Sequence, residues 1–274
     1  MSEAVADHRV SLQAAHDTER YLLAPICEVE HHGAYSVYRS REFSGFYSGN
    51  LLELHDARAF DLDGWQRQYQ AHFNQSDFAH ESIVGLHGSG IETLLPQAEA
   101  RGLDISREIY LVADTPLTPP PLARDLCIRR VDSEQRWRMM RAFSDHTDRA
   151  EPWYTPAASA MLADKTRRIS DALGLDWFYV SPRAEDVMLA RLGLYEYRGS
   201  HGRAARLQDV VTDAAHRRRG LATALVAEAQ RVALVERQLD ALYVCADADY
   251  LALAMYRKQG FLDVGALIKL FRMR

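Results

Sequence analysis

The chain has 274 residues, of which 47% are hydrophobic and 26% are charged. This is the composition of a folded globular protein, and it excludes the disordered and fibrous classes. The sequence has no run of about 18 apolar residues. Its first residues include charges where a signal peptide would need an apolar stretch. We therefore expect a cytoplasmic protein without a membrane partner.

The charge is distributed unevenly. The net charge of −5 disfavours a general nucleic-acid binder. Residues 1–124 contain 9 arginines, no lysine and 18 acidic residues, whereas residues 125–274 contain 24 basic and 20 acidic residues. The two parts carry −9 and +4, so an anionic ligand would favour the second part.

Potential metal ligands show no recognisable pattern. The cysteines Cys27, Cys127 and Cys245 are far apart, which fits reduced, partly buried thiols and gives no metal or redox motif. Eight of the 11 histidines precede residue 88 and lack a tight metal-binding spacing. We expect surface histidines and no metal.

A proline-rich segment divides the sequence. Residues 115–124 read TPLTPPPLAR and contain four of the nine prolines, a composition that favours an extended spacer over a helix or a central strand. We predict an N-terminal domain over residues 1–114, a linker over 115–124 and a second domain over 125–274.

The second domain has a readable order of elements. After a short strand at Leu126–Ile128, Asp132 is predicted to cap a first helix, and a second begins after Thr155-Pro156 and ends at Gly174. The elements that follow are strands at Trp177–Ser181, Val187–Tyr197 and Arg206–Thr212, a helix from Gly220, a strand at Ala241–Cys245, a helix at Tyr250–Gln259 and a strand at Phe261–Arg272. The predicted order is β-α-α-β-β-β-α-β-α-β, an α/β domain with a mixed sheet.

The turn before the Gly220 helix is suited to binding phosphate. A strand, a turn and a glycine that opens a helix bring unpaired amides and the positive end of a helix dipole together. Arg217, Arg218 and Arg219 add positive charge, and Ala222 is small where bulk would block a ligand. Without a following Lys-Ser or Lys-Thr, the turn does not match a nucleotide triphosphatase. An exposed turn with no ligand is the alternative interpretation.

A second pattern about 30 residues later favours one family. Arg217-x-x-Gly220-x-Ala222 is followed by Asp249, Ala252, Tyr256 and Gly260-Phe261. Together the two patterns resemble the GNAT acyltransferase superfamily over about residues 125–274. The resemblance implies the GNAT fold and acetyl-CoA as co-substrate.

The resemblance also implies a set of site residues. Backbone amides at the helix start would hold the CoA pyrophosphate, and the preceding strand would bind the pantetheine arm and polarise the acyl carbonyl. The residues implied in cofactor binding are Val210, Val211, Thr212, Arg217, Arg218, Arg219, Gly220, Leu221, Ala222, Thr223 and Asp249.

Direct acyl transfer needs an acid for the departing thiolate and an acceptor for the proton of the amine. The resemblance places Tyr256 as the acid, and a tyrosine packed in the core is the structural alternative. Asp209 is our candidate base, with Glu196 as a second candidate. Either carboxylate could instead be a solvated strand residue.

Residues 85–114 of the N-terminal part weakly resemble the last strand-helix-strand segment of the chain. In both, a strand precedes a helix that ends in Gly-Leu or Gly-Phe, and aligning Gly102 with Gly260 places Ala98 at the position of Tyr256. No Arg-x-x-Gly-x-Ala pattern occurs there. We predict a smaller, truncated and silent GNAT-like domain, with an unrelated sheet domain as the alternative.

The predicted function is that of an N-acetyltransferase acting on a primary amine of a small molecule or peptide, with acetyl-CoA and the amine as partners and no nucleic acid. A non-catalytic acyl-CoA sensor or scaffold is the alternative. The sequence does not identify the acceptor or the oligomeric state. Trp153 and Tyr154 are candidates for lining the cleft that binds the acceptor, with packing in the core as the alternative.

Overall fold

The computed structural model describes residues 2–73, 80–118, 122–199 and 202–273. Within these residues, 11 strands form one mixed sheet and seven α-helices cover its faces. The strands are β1 (Glu28–His31), β2 (Tyr35–Arg39), β3 (Leu51–Leu54), β4 (His80–Leu86), β5 (Asp104–Ala113), β6 (Leu126–Arg130), β7 (Asp176–Pro182), β8 (Ala190–Gly199), β9 (Gly202–Thr212), β10 (Ala241–Asp247) and β11 (Leu262–Met273).

The helices are α1 (Ser2–Leu23), α2 (Leu62–His72), α3 (Leu95–Ala100), α4 (Glu134–Asp148), α5 (Pro156–Leu173), α6 (Leu221–Gln230) and α7 (Ala252–Lys258). A π-helical turn at Arg231–Glu236 extends α6. None of the helices in the described ranges is long and apolar enough to cross a membrane.

The element order predicted for residues 125–274 is confirmed, with local corrections. Thr155 caps α5 by accepting a hydrogen bond from the amide of Ala158, and Gly174 ends that helix in the left-handed region. The predicted cap of α4 was one residue off, because Ser133 and not Asp132 accepts the amide of Arg136. Asp132 instead pairs with the Arg136 side chain at 2.9 Å.

One structural unit occurs twice in the chain. The segment β3-α2-β4-α3-β5 is repeated as β9-α6-β10-α7-β11, with a parallel first pair of strands in each copy. Gly102 and Gly260 have φ angles of 66° and 82° at equivalent turns, which glycine adopts without steric cost. The repeat that the sequence suggested for residues 85–114 is therefore part of a longer one.

The two copies exchange their last strands. The sheet order is β1-β2-β3-β4-β11-β5-β10-β9-β8-β7-β6. β5 lies between β10 and β11, and β11 lies between β4 and β5, with every one of these pairings antiparallel. Each copy thus leaves a slot beside its own parallel strands, and the last strand of the other copy fills it.

Successive side chains of a strand point to opposite faces of a sheet, and β5 shows which helices share a face. Leu111 packs in the cluster containing α6 and α7, and Ile105, on the same face of β5, packs with α2 and α3. Tyr110 points the other way, into a cluster with α1. Helices α4 and α5 cover that second face further along the sheet.

The sheet is continuous across the boundary expected at residues 115–124, since β5 pairs with both β10 and β11. Residues 119–121 of the expected linker lie outside the described residues. The described residues on either side, 114–118 and 122–125, belong to no helix or strand.

Candidate functional site

Two neighbouring parallel strands separate halfway along their length. β9 and β10 pair from Ala204↔Ala241 to Arg206↔Tyr243. Beyond that point β9 continues to Thr212 and β10 to Asp247, but the two strands no longer pair with each other. The separation opens a gap through the sheet, lined by main-chain groups that no longer have a strand partner.

A cavity of about 420 Å³ occupies this gap. Its walls come from the separated parts of β9 and β10, from α1 and α5 on one face of the sheet, and from Tyr256 of α7 on the other. Both halves of the chain contribute, because Glu19, Phe46 and Glu108 line the cavity together with residues of the second half. A ligand could therefore pass through the sheet from one face to the other.

Asp209 stands at an irregularity of β9. Its φ is 49°, unusual for a residue other than glycine, and the register of β8 and β9 shifts between Arg191 and Gly193. One Asp209 oxygen accepts a hydrogen bond from Gln208 at 3.1 Å, and the other lies 4.0 Å from the Arg191 guanidinium. The irregularity thus places a carboxylate and exposed main-chain groups at the cavity wall.

Helix α6 begins as the phosphate-loop interpretation requires. Its N-cap, Gly220, has a φ of 75°, and a Cβ at this position would meet no atom within 4 Å. The first main-chain bond within the helix runs from Ala224 to Gly220. The amides of Leu221, Ala222 and Thr223 therefore have no acceptor within the helix.

The three arginines before Gly220 are exposed. Arg217 donates to the carbonyl of Thr212 at 3.4 Å, and Arg219 contacts His216 at 2.9 Å. No acidic side chain of the described residues lies within 4.0 Å of any of the three. Their positive charge therefore remains available beside the free amides of α6.

Tyr256 is buried but reaches the cavity. The side chain is 3% exposed, and its ring packs edge-on against Phe261 with centroids 5.7 Å apart. Burial raises the pKa of the Tyr256 phenol well above its ordinary value, and the neighbouring Cys245 raises it further. The phenol therefore stays protonated and retains a proton to donate.

A second cavity of about 330 Å³ lies between α4, α5 and β9, and the two cavities share Lys165 and Asp209 as walls. Trp153, one of the residues expected near the acceptor, lines this second cavity. The other, Tyr154, instead donates its hydroxyl to Asp145 at 2.8 Å.

Two cations of the site, Lys165 and Arg191, were not predicted from the sequence. Burial lowers the pKa of the Lys165 ammonium, Asp209 opposes the shift, and the Arg191 guanidinium adds to it. Arg191 is 6% exposed and lies over the Trp177 ring at 5.2 Å. Both cations reach the site from positions 18 to 44 residues before Asp209 in the chain, a separation that local periodicity cannot detect.

Of the predicted site residues, Asp209, Val210 and Tyr256 line the main cavity, and Val211 lines the second. The others line neither cavity: Glu196, Thr212, Arg217, Arg218, Arg219, Gly220, Leu221, Ala222, Thr223 and Asp249. Asp249 is exposed in the turn after β10, where its amide donates to Asp247 at 2.8 Å. Asp247, two residues earlier, lines the cavity instead. Glu196, the second candidate base, is bound by Arg237 at 3.3 Å and lines neither cavity.

One group of histidines is closer together than the sequence suggested. Possible ligand atoms of Glu30, His32 and His72 lie within 4.8 Å of one another. However, the Glu30 carboxylate is also bound by the Arg39 guanidinium at 2.8 Å, a positive charge that opposes a bound cation.

The comparisons with known proteins agree with this geometry. Residues 139–261 match the model of the acetyltransferase (GNAT) family. These residues form a GNAT domain. They include the separated strands, the α6 start and Tyr256. No protein with a curated function matches the sequence.

Solved structures share the GNAT fold over both halves of the chain. A GCN5-related N-acetyltransferase from Kribbella flavida is 15% identical with a TM-score of 0.64, covering 96% of this chain and 94% of its own. A tandem GNAT protein from the clavulanic acid biosynthesis pathway is 12% identical with a TM-score of 0.57, covering 90% of this chain and 79% of its own. A conserved protein of unknown function from Staphylococcus epidermidis is 14% identical with a TM-score of 0.67, covering 89% and 93%. The N-terminal half is thus GNAT-like in fold as well.

The first half carries a different helix start at the equivalent position. Helix α2 is capped by Asp61, whose carboxylate accepts the amide of Gly64 at 2.8 Å, and Asp63 lies in its first turn. A phosphate would meet two carboxylates there. Of these two described helix starts, that of α6 alone combines free amides with positive charge.

Proposed function

We propose that the protein transfers an acetyl group from acetyl-CoA to an amine. The observation that supports this most directly is the gap between β9 and β10, whose strand β9 leads in the chain to the free amides of the α6 start. A thioester bound along the gap would have its pyrophosphate at the α6 start and its acyl group near Tyr256.

The cofactor contacts follow from this placement. The amides of Arg218 to Thr223 would bind the pyrophosphate, and Arg217 would neutralise part of its charge. Val210, Val211 and Thr212 would bind the pantetheine arm, and one of their amides would polarise the acyl carbonyl. The exposed Asp249 would contribute to cofactor binding from its position in the turn after β10.

Two side chains are proposed for the chemistry. Tyr256, kept protonated by burial, would donate a proton to the CoA thiolate as the carbon–sulfur bond breaks. Asp209 is the proton acceptor proposed from the sequence, and its position in the irregular part of β9 supports contact with the acceptor. Comparing the pH profiles of wild type and Asp209→Asn tests that role.

The N-terminal half is proposed as an accessory unit without its own cofactor. Residues 1–114 and 125–274, joined by the segment 115–124, would each be one GNAT-like unit. Asp61 and Ala98 stand in the first at positions where the second has Gly220 and Tyr256. We therefore expect one acetyl-CoA per chain. The cytoplasmic location stays a prediction from the sequence.

A calorimetric titration with acetyl-CoA, followed by measurement of thiol release across a panel of amines, tests the proposal. We expect one site per chain and thiol release with at least one amine. An acyl-CoA sensor, the alternative function, would bind acetyl-CoA and release no thiol with any amine. Absence of acetyl-CoA binding would exclude both functions.

A further inference from the structure

Four carboxylates line the main cavity, those of Glu19, Glu108, Asp209 and Asp247. Glu19 is already engaged, because it accepts hydrogen bonds from the Tyr110 hydroxyl and from Arg206. A carboxylate held by a guanidinium is a weak proton acceptor, since the positive charge stabilises its ionised form.

Asp209 and Asp247 are engaged as well. Asp209 is bound by Gln208 and lies 4.0 Å from Arg191, and Lys165 interacts with it electrostatically. Asp247 is exposed and accepts the Asp249 amide at 2.8 Å.

Glu108 differs from the other three. It belongs to β5, and its side chain points to the same face as Tyr110, two residues later. The one hydrogen bond to its carboxylate from the described residues comes from the Cys245 thiol at 3.4 Å. No lysine, arginine or histidine nitrogen in the described ranges lies within 4.0 Å of it.

The surroundings of Glu108 favour its protonated form. Burial raises the pKa of this carboxyl, and the neighbouring Glu19 raises it further, against weaker opposing effects. The charged and titratable groups that face it from the adjoining elements are Glu19 of α1, Arg206 of β9, Cys245 and Asp247 of β10, and Lys269 of β11. A carboxylate with a raised pKa accepts a proton near neutral pH more effectively than an ordinary one.

Glu108 also lies close to the proposed site of transfer. Cys245 contacts Glu108 directly and is near enough to Tyr256 to raise its pKa. The Glu108 side chain reaches the cavity on the α1 face of the sheet and Tyr256 of α7 reaches it on the other face, and Cys245 of β10 is a neighbour of both. An amine entering from the α1 side would meet Glu108 before it met a thioester in the gap.

We propose that Glu108, on a strand of the N-terminal half, and not Asp209 accepts the proton of the acceptor ammonium in the site of the second half. This inference rests on the proposed acetyl transfer. It gives the first half a chemical part in a site whose cofactor contacts all come from the second half.

The proposed step balances as follows. The acceptor ammonium gives one proton to Glu108 and becomes a neutral amine. Its nitrogen forms a bond to the acyl carbon, the carbon–sulfur bond breaks, and the thiolate takes the Tyr256 proton. The second nitrogen proton returns to Tyr256, leaving an amide, a CoA thiol and a protonated Glu108 that loses its proton to solvent.

The test compares full-length wild type with Glu108→Gln, Glu108→Asp and the control Asp104→Asn. Asp104 is an exposed acid on the same strand outside the cavity, so its variant removes an equal charge from β5. Thiol release is measured against pH at saturating acetyl-CoA, and acetyl-CoA binding is measured by calorimetry.

We expect Glu108→Gln to lower kcat/KM by about 10²- to 10⁴-fold, the range of general-base catalysis, with unchanged acetyl-CoA affinity. Wild-type activity should decrease toward acid pH, and this decrease should be absent in Glu108→Gln. Glu108→Asp should slow the reaction and keep an acid-dependent decrease, and Asp104→Asn should match wild type. If Glu108→Gln does not fold, the Asp variant decides the matter.

Failure of this inference is distinguishable from failure of the proposed function. A wild type that turns over amines, with a Glu108→Gln variant of equal rate and pH profile, would overturn the role of Glu108 alone. A Glu108→Asp variant with wild-type rate and profile would do the same, as would loss of the acid decrease in Asp209→Asn only. A wild type without turnover would overturn the acetyl transfer and this step with it.

Discussion

At the scale of single residues, the site depends on how burial changes ordinary side chains. Tyr256 sits in the apolar cluster of α6 and α7, yet it lines the cavity that passes through the sheet. The two interpretations that the sequence left open, a packed tyrosine and an acid, are therefore compatible. Packing fixes the ring, and burial keeps the phenol protonated.

Replacing Tyr256 with phenylalanine should leave the ring packing intact and remove only the hydroxyl. We expect a decrease of about 10²-fold in kcat with unchanged acetyl-CoA affinity, since the lost interaction is made as the thiolate departs. Steady-state kinetics and calorimetry measure the two quantities. A Tyr256→Phe variant with the wild-type rate would remove this residue from the proposed acid role.

A second residue-scale feature is the buried charge that joins α1 to β3. Glu53 contacts His16 and is bound by Arg20 at 2.8 Å, with 6% of its side chain exposed. Burial alone would raise the pKa of Glu53, but Arg20 and His16 outweigh it, and the pKa lies below its ordinary value. This carboxylate therefore stabilises the folded state in its ionised form.

The Glu53→Gln variant should lower the free energy of unfolding by about 3–5 kcal/mol near neutral pH, because it leaves buried positive charge unpaired. Because the pKa of Glu53 is lower in the folded state, its carboxylate stabilises the folded state fully at pH values above the unfolded-state pKa of 4.5. This stabilisation is lost progressively as the pH falls below 4.5 toward the folded-state pKa. Denaturant titrations should show the difference between variant and wild type shrinking below that pH. The exposed Glu30→Gln is the control, with a change under about 1 kcal/mol.

At the scale of elements, the two helix starts α2 and α6 explain why one copy would bind CoA. Both follow the first strand of a parallel pair. In α2 the carboxylate of Asp61 uses the amide of Gly64, whereas Gly220 of α6 supplies no side chain. The first start is closed by its own cap and the second is left open for an anion.

Gly220 and Gly174 make a matched pair for testing the open helix start. Both are left-handed, with φ of 75° and 66°, and a Cβ at either would meet no atom within 4 Å. Changing either to alanine should cost about 1–2 kcal/mol of stability through backbone strain. Only Gly220→Ala should also weaken acetyl-CoA binding, by about 10-fold, because its methyl group enters the proposed pyrophosphate site.

Calorimetry and thermal unfolding of the two variants separate these effects. Equal losses of stability with a loss of affinity at Gly220 alone would agree with the placement of the pyrophosphate. Unchanged affinity in Gly220→Ala would contradict it.

The sequence was informative where function follows local chain order. The elements of residues 125–274, the Gly220 helix start and the position of Tyr256 all follow from periodicity, caps and the GNAT resemblance. The sequence did not predict that Glu108 and Lys165 line the site, or that β5 and β11 are exchanged between the two copies. These features depend on contacts between distant segments, which no local pattern encodes.

At the scale of the whole molecule, neither half has a complete sheet of its own. Removing residues 1–114 would take away β5, the partner of both β10 and β11, and α1 above them. Two strands would be left with unpaired edges, which promote association with other chains.

We therefore expect residues 115–274 alone to aggregate or to unfold without a cooperative transition. Co-expression of 1–118 with 122–274 should restore a folded complex, because each piece supplies the strand that the other lacks. Size-exclusion chromatography and thermal unfolding give the readout. A monomeric, cooperatively folded 115–274 would contradict the dependence of one half on the other.

The strand exchange also has a consequence for biosynthesis. The slot between β4 and β5 is filled by β11, so residues 114–261 must be translated before the N-terminal sheet can close. Until then the emerging chain presents two open strand edges, a condition in which intermediates aggregate and chaperones become important. Synonymous codons that slow translation after β5 should therefore reduce the yield of folded protein more than slow codons placed within α1, before either strand edge has been made.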